Sequence, residues 1–451
     1  MTTAFDLVLK NGSVVLPCGV HRADIGVRAG KIAALGDLGT NGAAQSIDCT
    51  GLHILPGVID TQVHFRDPGL THKEDLETGT MAAAAGGVTS VFEMPNTSPL
   101  TTTPQALADK MARAAQVGWV DYAFYFGGTA DNARHLPEWE NLPGVCGIKI
   151  FMGASTGALL SASDEEVDAI LAHGRRVVAI HAEDEFIMNE NKKTILKDSD
   201  DVRLHPVWRS AESCLSATRR AVGLARRHGR RVHILHITTA EEMDFLRANK
   251  DIASAEVLVN HLTLSAPECY ERLGTRAQQN PPVREKHHQD ALWAALSDGT
   301  VDILATDHAP HTMEEKRKPY PSSPSGMPGV QTLVPLMLNH IHEGRLTLER
   351  FVDLTAHGPH RLFAIAGKGR IAAGYDADFT VVDLKARRMI GNAAQKSRCG
   401  WTPFDGMIVT GWPKLTIVRG RIVMREDELL GPPAGAPIRF RETLAPAQAE
   451  A

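Results

Sequence analysis

The chain has 451 residues, enough for a large core and more than one domain. Hydrophobic residues make up 43% and charged residues 22%, the balance of a globular protein, and a net charge of −5 without a basic block argues against a nucleic-acid binder. Six scattered cysteines with no CxxC pair, no signal-like N-terminus and no uncharged apolar run near the ~18–20 residues of a membrane span point to a reduced, cytoplasmic protein with no membrane partner.

In chain order, the first runs read as strands. FDLVLKNGSVVLP, ADIGVRAGKIAALG and SIDCTGLHILPG are divided by Asn-Gly, Ala-Gly and Thr-Gly turn signals. Apolar strand candidates then recur at HILPGVID, GVTSVFEM, VDYAFYF, CGIKIF, RVVAIH, RVHILHI, AEVLVNH and VDILATD. Between most of them lie helical stretches, among them EDLETGTMAAAA, TPQALADKMARAAQ, SDEEVDAILAHG, AESCLSATRRAVGLARRHG and TAEEMDFLRAN. The far end returns to a strand pattern in GRIAAGYDADFTVVDL and KLTIVRGRIVMRE, followed by an arm or tail, GPPAGAPIRFRETLAPAQAEA. This order predicts an α/β protein: a (β/α)8 TIM barrel over 56–366 and a small β-sandwich domain made from both chain ends, 1–55 and 367–451. A doubly wound open sheet competes, but no GxGxxG follows the first strand.

In a barrel, chemistry gathers where the strands run out. Strand one ends at Asp60, Gln62, His64 and Arg66, and strand two at Asn96. Strand four carries Lys149, strand five ends at His181 and strand six at His236. Strand seven runs into Asn260 and His261, and strand eight into Asp307, with His311 beyond. Singly, each has a plain explanation: a capped histidine, a lysine that snorkels, an aspartate that closes a turn. Together they place imidazoles, a carboxylate and a buried lysine at one end of different strands, a set suited to zinc and similar metals. A buried lysine loses its proton readily, and neutral Lys149 could react with carbon dioxide to give an anionic, two-oxygen carbamate able to bridge metals.

These residues, in this order, resemble the amidohydrolase superfamily, and within it the long-chain dihydroorotases. The motifs DTQVHFRDPGLTHKED, AAAAGGVTSVFEMPNTSP, KIFMG, HAED, NPPVR and ATDHAPHTMEEK carry the resemblance, which spans nearly the whole chain. It implies that His64, N6-carboxylated Lys149 and Asp307 hold one zinc, and that Lys149, His181 and His236 hold the other. Asp307 would act as general base and then acid. Arg66, Asn96 and His311 would grip a substrate carboxylate, Asn280 would contact the ring, and the 323–331 loop would line the mouth. Arg66 sets this pattern apart from hydantoinases and dihydropyrimidinases, and an Arg fork suits a carboxylate. The resemblance also implies a homo-oligomer. The alternatives are a related allantoinase, dihydropyrimidinase or cyclic imide hydrolase, and a low-activity partner of aspartate transcarbamoylase.

Two positions depart from the family pattern. Gln62 stands where the first histidine of His-x-His is expected, and Asn260 where relatives carry the first of two histidines. An amide oxygen is a weaker zinc ligand than imidazole, so the expectation is one firmly bound zinc and a second that is loose or absent. Lesser roles fall to Glu74 and Asp75 as a helix start, to Arg209 with Glu212 as an ion pair or helix start, and to His233 and His308 as structural residues.

Overall fold

The computed structural model describes residues 5–39, 42–155, 159–197 and 199–444; the end of the arm, 445–451, lies outside them. Eight parallel strands form the barrel: β1 Val58–Val63, β2 Val88–Glu93, β3 Asp121–Gly127, β4 Val145–Phe151, β5 Val178–His181, β6 Val232–Ile234, β7 Ala253–Leu258 and β8 Ile303–Ala305, each bonded to the next. Every residue in these strands is buried, because helices cover them outside and side chains fill them inside. This is why they read as continuous apolar runs. The ring closes where Val63 bridges His308 and the His64 N–H donates to the His308 carbonyl at 2.7 Å. Asp60 secures the closure, accepting the Thr306 N–H at 3.2 Å and the Thr306 hydroxyl at 2.5 Å. Burial pushes the Asp60 carboxyl up to about 7.

The helices start where capping residues stand. Asp75, Thr103, Ser163, Ser210 and Thr239 accept backbone N–H bonds at the heads of Leu76–Ala85, Pro104–Val117, Asp164–Leu171, Ala211–His228 and Ala240–Arg247. Such caps are worth roughly 1 kcal/mol each.

The chain ends build a second sheet. Phe5–Leu16, Gly19–Arg28, Lys31–Gly36, Ala43–Asp48 and His53–Pro56 join Phe379–Met389, Ile408–Val418, Arg421–Arg425 and Glu428–Leu429 in nine strands. The seam is His53–Pro56 lying antiparallel to Phe379–Met389. Leu9, Val14, Ile25, Ile54, Phe379 and Ile417 share its apolar cluster. The run HILPGVID, read as one strand, is therefore two. Its first half belongs to this sheet and its second to the barrel, with Gly57 between them, where a Cβ would collide with the Thr89 hydroxyl.

Two stretches from the far end leave the sheet and pack on the barrel. Ile438 and Phe440 join Ile59, Phe92, Tyr125 and Phe363 at the barrel floor. There the Tyr122 N–H donates to the Ala436 carbonyl at 3.1 Å, and the Ile438 N–H returns to Tyr122 at 2.9 Å. At the opposite end, Trp401 donates its indole N–H to the His311 carbonyl at 2.8 Å.

Candidate active site

The loops after the strands are held by close backbone crossings. Gly69 has φ +102°, and a Cβ there would strike the Ser98 carbonyl, so the loops after β1 and β2 meet only through a glycine. Gly326, at φ +143°, would strike the Ala309 carbonyl in the same way and brings the 323–331 loop against the residues after β8. Of the nine non-glycine residues in the left-handed region among the described residues, three stand just past barrel strands: Arg66 (φ 62°), His236 (φ 39°) and Asp307 (φ 47°). Each such conformation costs on the order of 1–3 kcal/mol, and such outliers gather at functional sites.

The side chains after β1 and β8 meet. His64 Nε2 lies 3.0 Å from Asp307 Oδ1, and His64 Nδ1 lies 2.8 Å from Asn96 Oδ1. With Nδ1–H donating to Asn96, the Nε2 lone pair faces a carboxylate, so a proton or a cation must lie between them. Gln62 donates its Nε2–H to Asp307 Oδ1 at 3.1 Å, and its amide oxygen is buried without a partner. Gln279 donates to the other oxygen of Asp307 at 3.4 Å and accepts from Asn260 Nδ2 at 3.1 Å. Both departures from the family pattern, Gln62 and Asn260, thus end on Asp307. Burial acts to raise the Asp307 carboxyl, but the His64 contact and the charges of His64 and Lys149 outweigh it and hold the group below its ordinary value.

The side chains after β4, β5 and β6 form a second group. His181 Nδ1 lies 3.0 Å from His236 Nε2, again two ring nitrogens that need a proton or cation between them. His181 Nε2 lies 2.9 Å from Glu183 Oε2, and Arg209 holds Glu183 through both carboxylate oxygens. Arg209 therefore pairs with Glu183. Glu212 lies in the first turn of Ala211–His228, so of the two sequence expectations the helix start holds for Glu212 and the ion pair of Arg209 is with Glu183. Lys149 Nζ is buried without a hydrogen-bond partner, 4.3 Å from the centre of the Phe151 ring, and burial brings its pKa down to about 7. Its charge acts on His64, His181, His236 and Asp307, so it stands between the two groups. His261 sits on the helical turn Val259–Thr263, 3.1 Å from the Pro281 carbonyl; burial depresses its pKa to about 4.

No three His, Cys, Asp or Glu side chains converge in a metal-holding group among the described residues. The donors stand instead as two facing pairs with a partnerless lysine nitrogen between them. Facing lone pairs, buried orphan atoms on Lys149 and His236, and imidazole and carboxylate donors all fit a divalent cation.

Arg66 is 2% exposed and forms no ion pair among the described residues. Its Nε donates to the Pro310 carbonyl at 3.3 Å, Nη2 lies 3.4 Å from His311 Nε2, and Nη1 has no partner. Asp67, next to it in the chain, pairs with Arg113 at 2.5 Å. Asn280 lines a cavity with Arg209, Trp208, Ser323 and Ser325, and its amide oxygen lies 3.0 Å from His205 Nε2. His308 and His233 are structural. His308 bonds Glu74 at 3.2 Å and the Gly329 N–H at 3.0 Å, and His233 bonds Ser254 at 2.9 Å. Asp75 starts its helix, and Glu74 accepts there from the Thr78 hydroxyl and the Asp75 N–H while also reaching His308, Ser397 and the Arg398 N–H.

The sequence reading passed over Lys73, Gln279 and His205. Lys73 lies inside the motif DTQVHFRDPGLTHKED and Gln279 directly precedes NPPVR, and no local signal separated them from ordinary polar residues.

Residues 53–423 match the Amidohydrolase family. The chain is 35% identical over 443 residues to a dihydroorotase of Methanosarcina mazei, covering 95% of this chain and 96% of that one. It is 34% identical over 447 residues to an L-hydantoinase of Paenarthrobacter aurescens, covering 94% and 96%. The solved L-hydantoinase (dihydropyrimidinase) from Arthrobacter aurescens superposes with a TM-score of 0.92 at 32% identity, over 96% of this chain and 99% of that one.

Proposed function

The chain belongs to the amidohydrolase family, and from that premise we propose that it is a metal-dependent dihydroorotase. It interconverts dihydroorotate and N-carbamoyl-L-aspartate in pyrimidine biosynthesis. The observation that carries the choice of substrate is Arg66. Asp307, Glu93, Glu315 and Glu74 act on the buried guanidinium from a distance, but none pairs with it directly and Nη1 has no partner, a place that the dihydroorotate carboxylate would fill. Several dihydroorotases among the relatives, at 34–36% identity, support the same reading.

Lys149, His181 and His236 would hold one cation and His64, Lys149 and Asp307 a second, looser or absent one, zinc by the character of the donors, with Lys149 as its N6-carboxylate. When bound, such an ion lowers the pKa of water and polarises the scissile carbonyl. The chain's own residues do the rest. Arg66 and His311 bind the carboxylate, Asn96 orients the His64 ring beside it, and Asn280 meets the pyrimidine ring. Asp307, ionised at neutral pH, takes a proton from the attacking water. The new C–O bond forms, the ring C–N bond breaks, and Asp307 returns that proton to the departing nitrogen.

No helix among the described residues is long and apolar enough to cross a membrane. The proposal places the enzyme in the cytoplasm as a homo-oligomer. Met389 and Ile408, paired neighbours 64% and 53% exposed, support self-association, which sedimentation would test.

The deciding experiment is metal analysis of the purified protein, with turnover of dihydroorotate compared against hydantoin, dihydrouracil and allantoin. Dihydroorotate is expected to give the highest kcat/KM. Faster hydrolysis of an uncharged ring would replace this reading with a hydantoinase or dihydropyrimidinase, the alternative favoured by the structural likeness to the L-hydantoinase. Absence of both metal and turnover would point to the transcarbamoylase partner.

A further inference from the structure

The carboxylate subsite contains a contact that is not a hydrogen bond. Arg66 Nη2 lies 3.4 Å from His311 Nε2, and a guanidinium carries only donors, so the pair bonds only if Nε2 is bare. The other neighbours of the ring decide that. The Ser325 carbonyl oxygen lies 3.0 Å from Nε2 and can only accept, so Nε2 carries the proton. At the opposite edge of the ring, Lys73 Nζ lies 3.1 Å from His311 Nδ1. An ammonium has three donors and no acceptor, so Nδ1 is the bare nitrogen. Burial lowers the Lys73 pKa, and Glu315 Oε1, 3.1 Å from Nζ, opposes that by favouring the ammonium. The other oxygen of Glu315 is 3.8 Å from Nδ1, beyond hydrogen-bond length, and does not compete for a proton there.

Both edges of the ring therefore agree on one tautomer. Arg66 Nη2 and His311 Nε2–H are neighbouring donors; the Nε2–H goes to the Ser325 carbonyl, a bond that an entering acceptor would share, and Arg66 Nη1 is buried with no partner beside them. Donors this close share an acceptor, and a carboxylate supplies two oxygens and the charge that the guanidinium lacks. We propose that Lys73 is a positioning residue that locks His311 in the Nε2–H tautomer, so that His311 and Arg66 together present donors to the substrate carboxylate. The identity of that carboxylate rests on the dihydroorotase reading; the tautomer does not.

Two measurements on the full-length protein test this. Nitrogen-15 spectra of histidine-labelled protein, with the His311 signals assigned through His311→Asn, are expected to show a bare Nδ1 and a protonated Nε2. Lys73→Met removes the donor that faces Nδ1 and releases Glu315, which Lys73 holds in the wild type, to close the 3.8 Å gap and draw a proton onto Nδ1, so the His311 signals should shift away from a bare Nδ1. Lys73→Arg, still donor-only, should keep the original pattern. In kinetics, Lys73→Met should raise KM for dihydroorotate about tenfold while kcat changes less than about threefold, and Lys73→Arg should recover most of the loss. An unchanged His311 tautomer in Lys73→Met, or an equal fall of kcat and kcat/KM with no rescue by arginine, would overturn the proposal. If the wild-type protein does not turn over dihydroorotate, the functional reading fails, and the tautomer shift alone decides the role of Lys73.

Discussion

The two halves of the site treat their polar groups differently. After β1 and β8, amides surround the ligand-like pair: Gln62 and Gln279 donate to Asp307, Asn260 supports Gln279, and Asn96 holds His64. Among the described residues, no side-chain amide is bonded to Lys149, His181 or His236 after β4, β5 and β6. Lys149 Nζ and His236 Nδ1 are buried without partners, and the two imidazoles face only each other and Glu183. A charge already met by neutral donors gains less from a cation than one that is not. The comparison teaches that Gln62 is a donor to Asp307, and on the proposed reading the first cation would go to the His181–His236 half.

Breaking the amide-rich half should have the largest effect on turnover. Asp307→Asn is expected to lower kcat by roughly 10²–10⁴-fold, the usual worth of a general base. Metal analysis of the same variant should still find the cation of the His181–His236 half; its loss would show that the halves are not separable. Arg66→Ala comes next. Losing a charged hydrogen-bond partner should cost roughly 10–100-fold in kcat/KM for dihydroorotate, with much less effect on an uncharged hydantoin. Equal losses on both substrates would count against a carboxylate site.

Gln62→His sharpens the comparison directly. It removes one amide donor from Asp307 and supplies an imidazole, so a second equivalent of zinc should bind at least about tenfold more tightly. Calorimetric titration measures this, and unchanged stoichiometry and affinity would sink the idea. The smallest effect is expected away from both halves, at His205. Burial depresses its pKa to about 3, against ~6.5 in an unfolded chain. The unfolded state therefore takes up a proton that the native state refuses. The stabilisation is complete above about pH 6.5 and is lost as pH falls toward 3, by up to ~1.4 kcal/mol per pH unit. Urea unfolding at pH 7 and pH 5 should show a smaller loss in His205→Leu than in the wild-type protein.

Much of this was legible in the sequence. The eight apolar runs became barrel strands, because full burial on both faces leaves continuous hydrophobic stretches. Helix starts followed from Asp75, Ser163 and Thr239, since capping is a local bond. Strand ends were less exact. His236 and Asp307 each lie two residues past their strands in left-handed conformations, and Asn260 and His261 lie on a helical turn. Periodicity does not register such local strain.

By itself the sequence determined the barrel order and the residue types gathered at one end of it, because burial and capping act within a few residues. Only the tertiary structure decided the partners. Gln62 reaches Asp307 across 245 positions, Lys73 reaches His311 across 238, and Trp401 reaches His311 from 90 residues further along. The physical reason is that a hydrogen bond exists only within a few tenths of an ångström of ~3 Å. Which donor meets which acceptor is therefore fixed when the ring of strands closes, and with it the difference between a lost ligand and a new contact.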